Sequence, residues 1–363
     1  MVHTSPTKKL AFISQLRFPL AALVVLIHSN LSGHFTTQGE KTEMACRVIH
    51  GFSVGLTSFT VPLFFAISGY LFFYGLQDFT AETYRKKLQR RIKTLLIPYI
   101  LWVFIAFLLF AGQSFVKGEH LTWDLSPNLW WGCCQLAPGH ESILGYPIEE
   151  VTAPLLVPLW FVRDLTLLAL LSPVIHFLLK RMGWSFILLA GILFHVSLYP
   201  NWGGISAMGP LFFCSGAVWA IQGKDPLAST RKWMPASCVV AILSLLAYVT
   251  LWNRVHWAIT DTLNTIFVWS GMLVAIHWAD CSRRKHPIPK TLSQSSFFVY
   301  AVHTLFLFAI KPVAQYVQDM GFAAILAAYF GCYLLTLLLS VLSFKVVVWI
   351  EHGYGLLTGI WKK

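Results

Sequence analysis

The sequence predicts an all-α integral membrane protein, a bundle of about ten transmembrane helices with both termini in the cytoplasm. Of its 363 residues, 56% are hydrophobic and only 12% are charged, and the mean hydropathy is +0.65. Soluble domains carry about 25% charged residues, roughly twice as many. These figures exclude a water-soluble globule, a disordered chain and a disulfide-bonded secreted scaffold.

The predicted spans follow from the distribution of charged residues, because a transmembrane helix needs about 20 predominantly apolar residues. Stretches free of Asp, Glu, Lys and Arg predict spans at 48–77, 94–116, 233–253, 291–310 and 320–344, with two more in 182–223 on either side of a turn at 199–204. Three further spans carry internal charges and lie at about 10–31, 154–179 and 257–278. We expect a single transmembrane domain over residues 1–363, with a large outer loop at about 113–153.

The orientation follows from the basic residues. Most of the 27 lysines and arginines fall in alternate loops on one side of the predicted spans. Cytoplasmic loops collect Lys and Arg, so this side, which includes both termini, is predicted to be cytoplasmic. The same bias explains the net charge of +12 without a nucleic-acid partner and leaves membrane lipid as the surrounding partner.

Two ionisable residues lie within the first predicted span. Arg17 and His28 are eleven positions apart, so a helix places them on one face, about three turns and roughly 16 Å apart along the axis. Ionisable residues inside membrane spans are costly and are functional candidates by default. The alternative is that Arg17 reaches lipid phosphate and His28 is a satisfied interfacial histidine.

Four motifs in order along the chain point to a family. They are the Arg17-to-His28 spacing, the segment Phe64-Phe65-Ala66-Ile67-Ser68-Gly69, the opening Pro158-Leu159-Trp160-Phe161 of a later span, and the late Tyr300-Ala301-Val302-His303. In this order and on these spans, the chain resembles acyltransferase family 3, the multi-span membrane acyltransferases that modify bacterial glycans. The resemblance covers nearly the whole chain.

The resemblance implies an O-acyltransferase of the bacterial inner membrane. The implied donor is cytoplasmic acetyl-CoA or another acyl-CoA, and the implied acceptor is a hydroxyl of a cell-surface or lipid-linked glycan. The family's Arg and His map onto Arg17 and His28. We expect His28 to be the general base, or to carry the acyl group itself in a two-step relay. Arg17 would orient the donor or stabilise developing charge.

The other candidates for binding substrate or donor each have a structural alternative. Arg90 and Arg91 could hold the phosphates of coenzyme A, or belong to the ordinary cytoplasmic excess of basic residues. Ser68 could contact substrate or permit close helix packing. Trp160 could be a platform for a sugar or acyl group, or part of an interfacial aromatic belt.

Three further candidates complete the predicted site. Arg163 could line a cavity or form an ion pair with Asp164 at the outer interface. Tyr300 and His303 share a helix face, where they could line the substrate path or simply pack. No cysteine or histidine spacing suggests a metal, and we expect none.

A transporter or flippase of a glycan or lipid-linked substrate is the main alternative, because buried Arg and His also suit a translocation path. Inverted repeats with broken helices would favour that function, and the sequence shows no such repeats. A non-catalytic partner in a glycan assembly complex is a third class, which no sequence feature supports.

Overall fold

The computed structural model describes residues 10–35, 39–76, 78–118, 130–132, 134–141, 147–151, 154–196, 206–351 and 355–358. In chain order its α-helices are α1 (Ala11–His28), α2 (Glu40–His50), α3 (Thr60–Phe73), α4 (Ala81–Arg91), α5 (Ile97–Val116), α6 (Trp160–Leu170), α7 (Ser172–Met182), α8 (Trp184–His195), α9 (Met208–Ile221), α10 (Pro226–Thr230), α11 (Met234–Leu251), α12 (Trp257–Lys285), α13 (Lys290–Ile310), α14 (Ala314–Val317) and α15 (Phe322–Glu351). A π-helix at Gly51–Leu56 follows α2 and leads towards α3. A second, at Ile92–Leu96, joins α4 to α5.

The helical membrane architecture is confirmed, and the chain is an integral membrane protein. Within the described ranges, seven helical segments are long and apolar enough to cross a membrane: Ala11–His34, Thr42–Phe73, Ala81–Val116, Pro226–Leu251, Trp257–Lys285, Lys290–Val317 and Phe322–Glu351. The bent pair α6 and α7 would make eight. The two spans expected in 182–223 correspond to α8 and α9, which have only 12 and 14 residues. The expected count of about ten is therefore not confirmed, because about 20 residues are needed to cross the apolar layer.

The span predicted at about 154–179, the fourth along the chain, is broken rather than continuous. Helices α6 and α7 meet at an angle of 70° at Leu171. Pro173, at the start of α7, has no N–H to donate to the carbonyl of Ala169 four residues earlier, and its ring crowds that carbonyl. The hydroxyl of Ser172 donates to the Ala169 oxygen instead, at 2.8 Å. The bend therefore has a local cause in the sequence.

The expected outer loop at 113–153 is only partly described, and it departs from the all-α prediction. Strands β1 (Cys134–Glu141) and β2 (Pro147–Val151) form an antiparallel pair, in which Cys134 faces Val151. The register shifts between Leu136 and Glu141. The expected turn at 199–204 lies outside the described residues.

Two compact units make up the described fold. The first comprises Met1–Val61 and Pro226–Ile350, and the second comprises Pro62–Asp225 and Glu351–Lys363. Each unit thus combines segments that are distant in sequence. The expectation of one domain over the whole chain stays a prediction.

In the first unit, α1 packs against α12, α13 and the π-helix Gly51–Leu56. A buried apolar cluster surrounds the C-terminal end of α1; its members are Leu26, Leu31, Ala45, Ile49, Ala314, Ile325, Tyr329 and Cys332. Close packing of these side chains against one another holds the helices together. The first helix is therefore enclosed by the later helices of the chain.

In the second unit, α3 and α9 approach closely through glycine. A Cβ atom placed on Gly69 would lie 1.9 Å from the carbonyl oxygen of Phe213, and one on Gly216 would lie 1.8 Å from that of Ala66. Only hydrogen fits at these two positions, as in other close helix contacts in membranes. Gly69 of the Ser68-Gly69 motif is thus a packing residue.

We expect Gly69→Ala and Gly216→Ala each to destabilise the protein by about 1–3 kcal/mol or more, because the added methyl group would overlap a backbone carbonyl. Thermal unfolding of the purified protein in detergent would measure the loss. Gly112→Ala is the matched control, since nothing lies within 4 Å of its added Cβ. An unchanged melting temperature for both α3–α9 variants would contradict the close contact.

Candidate active site

Helix α1 carries Arg17 and His28 without interruption, as the spacing predicts. His28 is the last residue of the helix and is half-buried, whereas the side chain of Arg17 is exposed. Pro19 lies inside the helix without ending it. The separation of about three turns between the two side chains is therefore a property of the folded chain.

The end of α1 is held by hydrogen bonds from polar side chains. Both the backbone N–H and the hydroxyl of Ser29 donate to the carbonyl of Val25, at 2.9 and 2.7 Å. The hydroxyl of Ser53, in the π-helix, donates to the carbonyl of Leu26 at 3.1 Å and lies 2.8 Å from the hydroxyl of Tyr329. These contacts satisfy carbonyls that a helix end leaves without partners, and they fix the position of His28.

The structure brings His28 and His303 together. Their ring centroids are 5.1 Å apart and their planes are inclined at 43°. His303 lies on α13 and has no solvent exposure. Tyr300 is buried one turn earlier on α13, with its ring 6.3 Å from that of His303. Three of the predicted residues thus form a cluster in the first unit.

The ring of His303 has two different nitrogen environments. Nδ1 lies 2.8 Å from the carbonyl oxygen of Tyr300 and 3.2 Å from that of Val299. Nε2 is buried and has no hydrogen-bond partner among the residues that the structure describes. An imidazole in this arrangement presents one nitrogen that is available to another group.

Gln15 was missed by sequence reasoning, although an amide in an apolar span is a signal of a specific partner. Its Nε2 donates to the Ser282 hydroxyl at 3.2 Å and to the His286 carbonyl at 3.0 Å, and its Oε1 accepts from the backbone N–H of Ile288 at 2.9 Å. These bonds tie the N-terminal half of α1, close to Arg17, to the connection between α12 and α13.

The basic segment that contains Arg90 and Arg91, before the span predicted at 94–116, is helical. Helix α4 continues through a π-helix into α5. Arg91 donates to the carbonyl of Ser68 at 3.4 Å, and Lys87 donates to the carbonyl of Phe72. Both cations also lie over the ring of Phe72, within 6 Å of its centre. Lys87 thus binds a carbonyl in the last turn of α3 and Arg91 one about a turn earlier, whereas Arg90 is exposed.

Arg163 and Asp164 form a buried ion pair in the second unit, not one exposed at an interface. The guanidinium lies 3.0 Å from Oδ1 of Asp164, and both side chains have no exposure. Arg163 also donates to the carbonyl of Trp131 at 2.8 Å, and the other oxygen of Asp164 accepts from the backbone N–H of Ser206 at 2.9 Å. The pair therefore fixes the backbone at Trp131, before α6 in the chain, and at Ser206, just before α9.

Tyr99 and Trp160 each contact other aromatic residues of the second unit. The hydroxyl of Tyr99 donates to the carbonyl of Trp130, and its ring meets that of Trp131 edge-on at 5.7 Å. Trp160 begins α6 and is half-buried, with its ring 6.1 Å from that of Phe65. These contacts give Trp160 a packing partner, and its proposed role towards substrate stays a prediction.

Comparisons with known proteins show the family of this chain. A family model described as an acyltransferase domain matches residues 10–345, so the chain belongs to acyltransferase family 3. The succinoglycan biosynthesis protein ExoH of Rhizobium meliloti (strain 1021) is 32% identical over 127 residues, which make up 33% of this chain and 30% of that protein. The match thus spans less than a third of ExoH. No solved structure matches the chain.

Replacing one member of the buried ion pair leaves the other charge without compensation. We expect Arg163→Met to lower the free energy of unfolding by about 3–5 kcal/mol, and Arg163→Met combined with Asp164→Leu to lower it by less. Arg47→Met is the control, because Arg47 and Glu43 form an exposed pair that contributes at most about 1 kcal/mol. Equal losses for the single and double variants would contradict a coupled pair.

Proposed function

We propose that the protein is an O-acyltransferase that moves an acyl group, acetyl in the simplest case, from cytoplasmic acyl-CoA to a hydroxyl of a cell-surface or lipid-linked glycan. Membership of acyltransferase family 3 and the similarity to a succinoglycan biosynthesis protein support this function. The observation that carries it is the pair of His28 and His303 within membrane-spanning helices, where a titratable group is costly unless it is used.

His28 is the general base in this proposal. Its neutral ring accepts the proton of a sugar hydroxyl while the hydroxyl oxygen attacks the carbonyl carbon of the thioester. The carbon–sulfur bond then breaks, and the proton held by His28 passes to the leaving thiolate of coenzyme A. In the two-step variant, the imidazole nitrogen attacks the thioester, the carbon–sulfur bond breaks, and the thiolate of coenzyme A takes the proton of the other ring nitrogen. The glycan hydroxyl oxygen then takes the acyl group from His28, and its proton returns to the ring. Neither route requires a metal.

Arg17 has a complementary role in the same helix. A guanidinium stays charged in any environment and offers planar pairs of N–H donors to phosphate or to a developing oxyanion. With the N-terminus on the cytoplasmic side, Arg17 lies on the side from which the donor arrives, and His28 lies about three turns further along α1. The arrangement suits a donor that enters from the cytoplasm and an acceptor that is modified deeper in the membrane.

Coenzyme A is recognised on the cytoplasmic side by its phosphates in this proposal. Arg90 is the better candidate of the predicted pair, because its side chain is exposed while Arg91 already binds the Ser68 carbonyl. Ser68, Trp160 and Tyr300 stay proposed contacts of substrate or donor. Arg163 is proposed to act through the position of its helix, because its side chain is buried in the pair with Asp164. The proposed location is the bacterial inner membrane, where both substrates are accessible.

We expect His28→Ala to reduce acyl transfer by about 10²–10⁴-fold, the usual contribution of a general base. The assay uses the purified protein in proteoliposomes, a radiolabelled acyl-CoA and a lipid-linked or soluble oligosaccharide. His277→Gln is the matched control, since His277 is also buried on a helix of the first unit but is hydrogen-bonded to Thr230 at 2.9 Å. Undiminished transfer by His28→Ala would reject its role, and movement of unmodified glycan without transfer would favour a flippase.

We expect Arg17→Lys to lower acyl transfer at least tenfold, because an ammonium keeps the charge but lacks the planar pair of donors. The same proteoliposome assay, with the donor concentration varied, would show whether KM or kcat changes. Arg284→Lys is the control, because Arg284 is exposed and pairs only with Asp280 on its own helix among the contacts described. Normal kinetics for Arg17→Lys would reduce Arg17 to a lipid anchor.

A further inference from the structure

The nitrogen Nε2 of His303 is an unusual group. The side chain is completely buried, and Nε2 has no hydrogen-bond partner in the described part of the chain. Buried polar atoms in folded proteins are nearly always paired, so an unpaired one calls for an explanation. Thr230 provides such a partner for His277, another buried histidine of the first unit. Nε2 of His303 thus differs from the corresponding nitrogen of His277, which is paired.

The environment of Nδ1 determines which nitrogen of His303 carries the proton. Both groups within hydrogen-bond distance of Nδ1, the carbonyls of Tyr300 and Val299, can only accept. Nδ1 must therefore hold the proton and donate it to these oxygens. In the neutral ring Nε2 then carries a lone pair and can act only as an acceptor. The helix that carries His303 thus fixes its tautomer.

The ring of His28 is the titratable group next to this acceptor. The rings are inclined at 43° rather than stacked, and their centroid separation of 5.1 Å allows a ring N–H of His28 to turn towards Nε2 of His303. Hydrogen bonds of catalytic groups are often long in the absence of substrate and tighten when it binds. The hydrogen bonds at the end of α1 keep the backbone of His28 at this distance.

We infer that His303 is the positioning residue of the base, an inference that rests on the proposed function. Its Nε2 accepts the N–H of one nitrogen of His28, which leaves the other nitrogen of His28 unprotonated and directed at the acceptor hydroxyl. The hydroxyl proton moves to that free nitrogen, the oxygen attacks the thioester carbonyl, and the same proton leaves with the thiolate of coenzyme A. His303 itself neither gains nor loses a proton. A third group orients the base in the same way in catalytic triads.

This role predicts a defined pattern among substitutions at residue 303. His303→Phe keeps a ring of similar size but removes the acceptor, so kcat should fall on the order of 100-fold while KM for acyl-CoA stays unchanged. His303→Gln supplies a carbonyl oxygen close to the position of Nε2 and should restore kcat to within about tenfold of the wild type. A side chain that only fills space would not distinguish Phe from Gln in kcat.

The decisive experiment is a double-mutant cycle with His28. If His303 acts through His28, His303→Phe should have no further effect on the residual transfer rate of His28→Ala. Rates are measured in proteoliposomes with labelled acyl-CoA, alongside the melting temperature of each variant and the control His277→Gln. Should His303→Phe fail to fold, His303→Leu replaces it in the cycle.

Three results would overturn the inference: a kcat of His303→Phe within twofold of the wild type, a His303→Gln variant as inactive as His28→Ala, or a further loss in the double variant. The last two would show that His303 handles a proton or substrate itself. A His28→Ala variant with normal transfer would instead reject the proposed function of His28. A failure of the inference about His303 can thus be told apart from a failure of that proposal.

Discussion

The absence of water from the apolar layer of a membrane is the constraint on which this structure depends. Every polar group within the helices must find a partner in the protein, because an unpaired group there costs several kcal/mol. Ser29, Ser53 and Gln15 meet this requirement along α1, and the Arg163–Asp164 pair meets it at the start of α6. The Nε2 of His303 does not meet it within the described chain, and it lies beside His28. Thr60, Asn264, Thr304 and Thr336 also carry a buried side-chain oxygen without a partner in the described chain. The nitrogen of His303 differs from these oxygens because it lies beside the proposed base.

The same requirement explains why polar side chains donate hydrogen bonds to the carbonyls at several helix ends in this fold. Carbonyls at the end of α1 accept from Ser29 and Ser53, and the Phe72 carbonyl at the end of α3 accepts from Lys87. The hydroxyl of Ser172 donates to the carbonyl of Ala169, to which Pro173 cannot donate because it has no N–H. Because these bonds fix the helix ends, the side chains at those ends hold defined positions. His28, the last residue of α1, benefits from this rigidity, which a base needs to meet a hydroxyl at the right distance.

Part of the geometry of the candidate site could be predicted from the sequence, and the reasons differ between residues. The spacing of Arg17 and His28 is local, so helical periodicity alone places them on one helix and one face. The sequence placed His28 and His303 in one candidate site but did not predict that their rings lie side by side, because no periodicity relates residues 275 positions apart. An ion pair of Arg163 with Asp164 was one of two alternatives, but its complete burial could not be predicted, because burial depends on the packing of other helices around α6. The partners of Gln15 and Arg91 depend on the packing of distant helices and could not be predicted.

Composition and charge distribution by themselves determined that this protein is helical and lies in a membrane, because low charge and long apolar runs exclude water-soluble alternatives. The order of the motifs determined the family, which the match over residues 10–345 established. The tertiary structure decided the rest: two units assembled from distant segments, a broken fourth span, two helices that are short, and a pair of strands between α5 and α6. It also decided which nitrogen of which histidine lacks a partner. These features depend on contacts between segments far apart in the chain, and only the packed molecule determines such contacts.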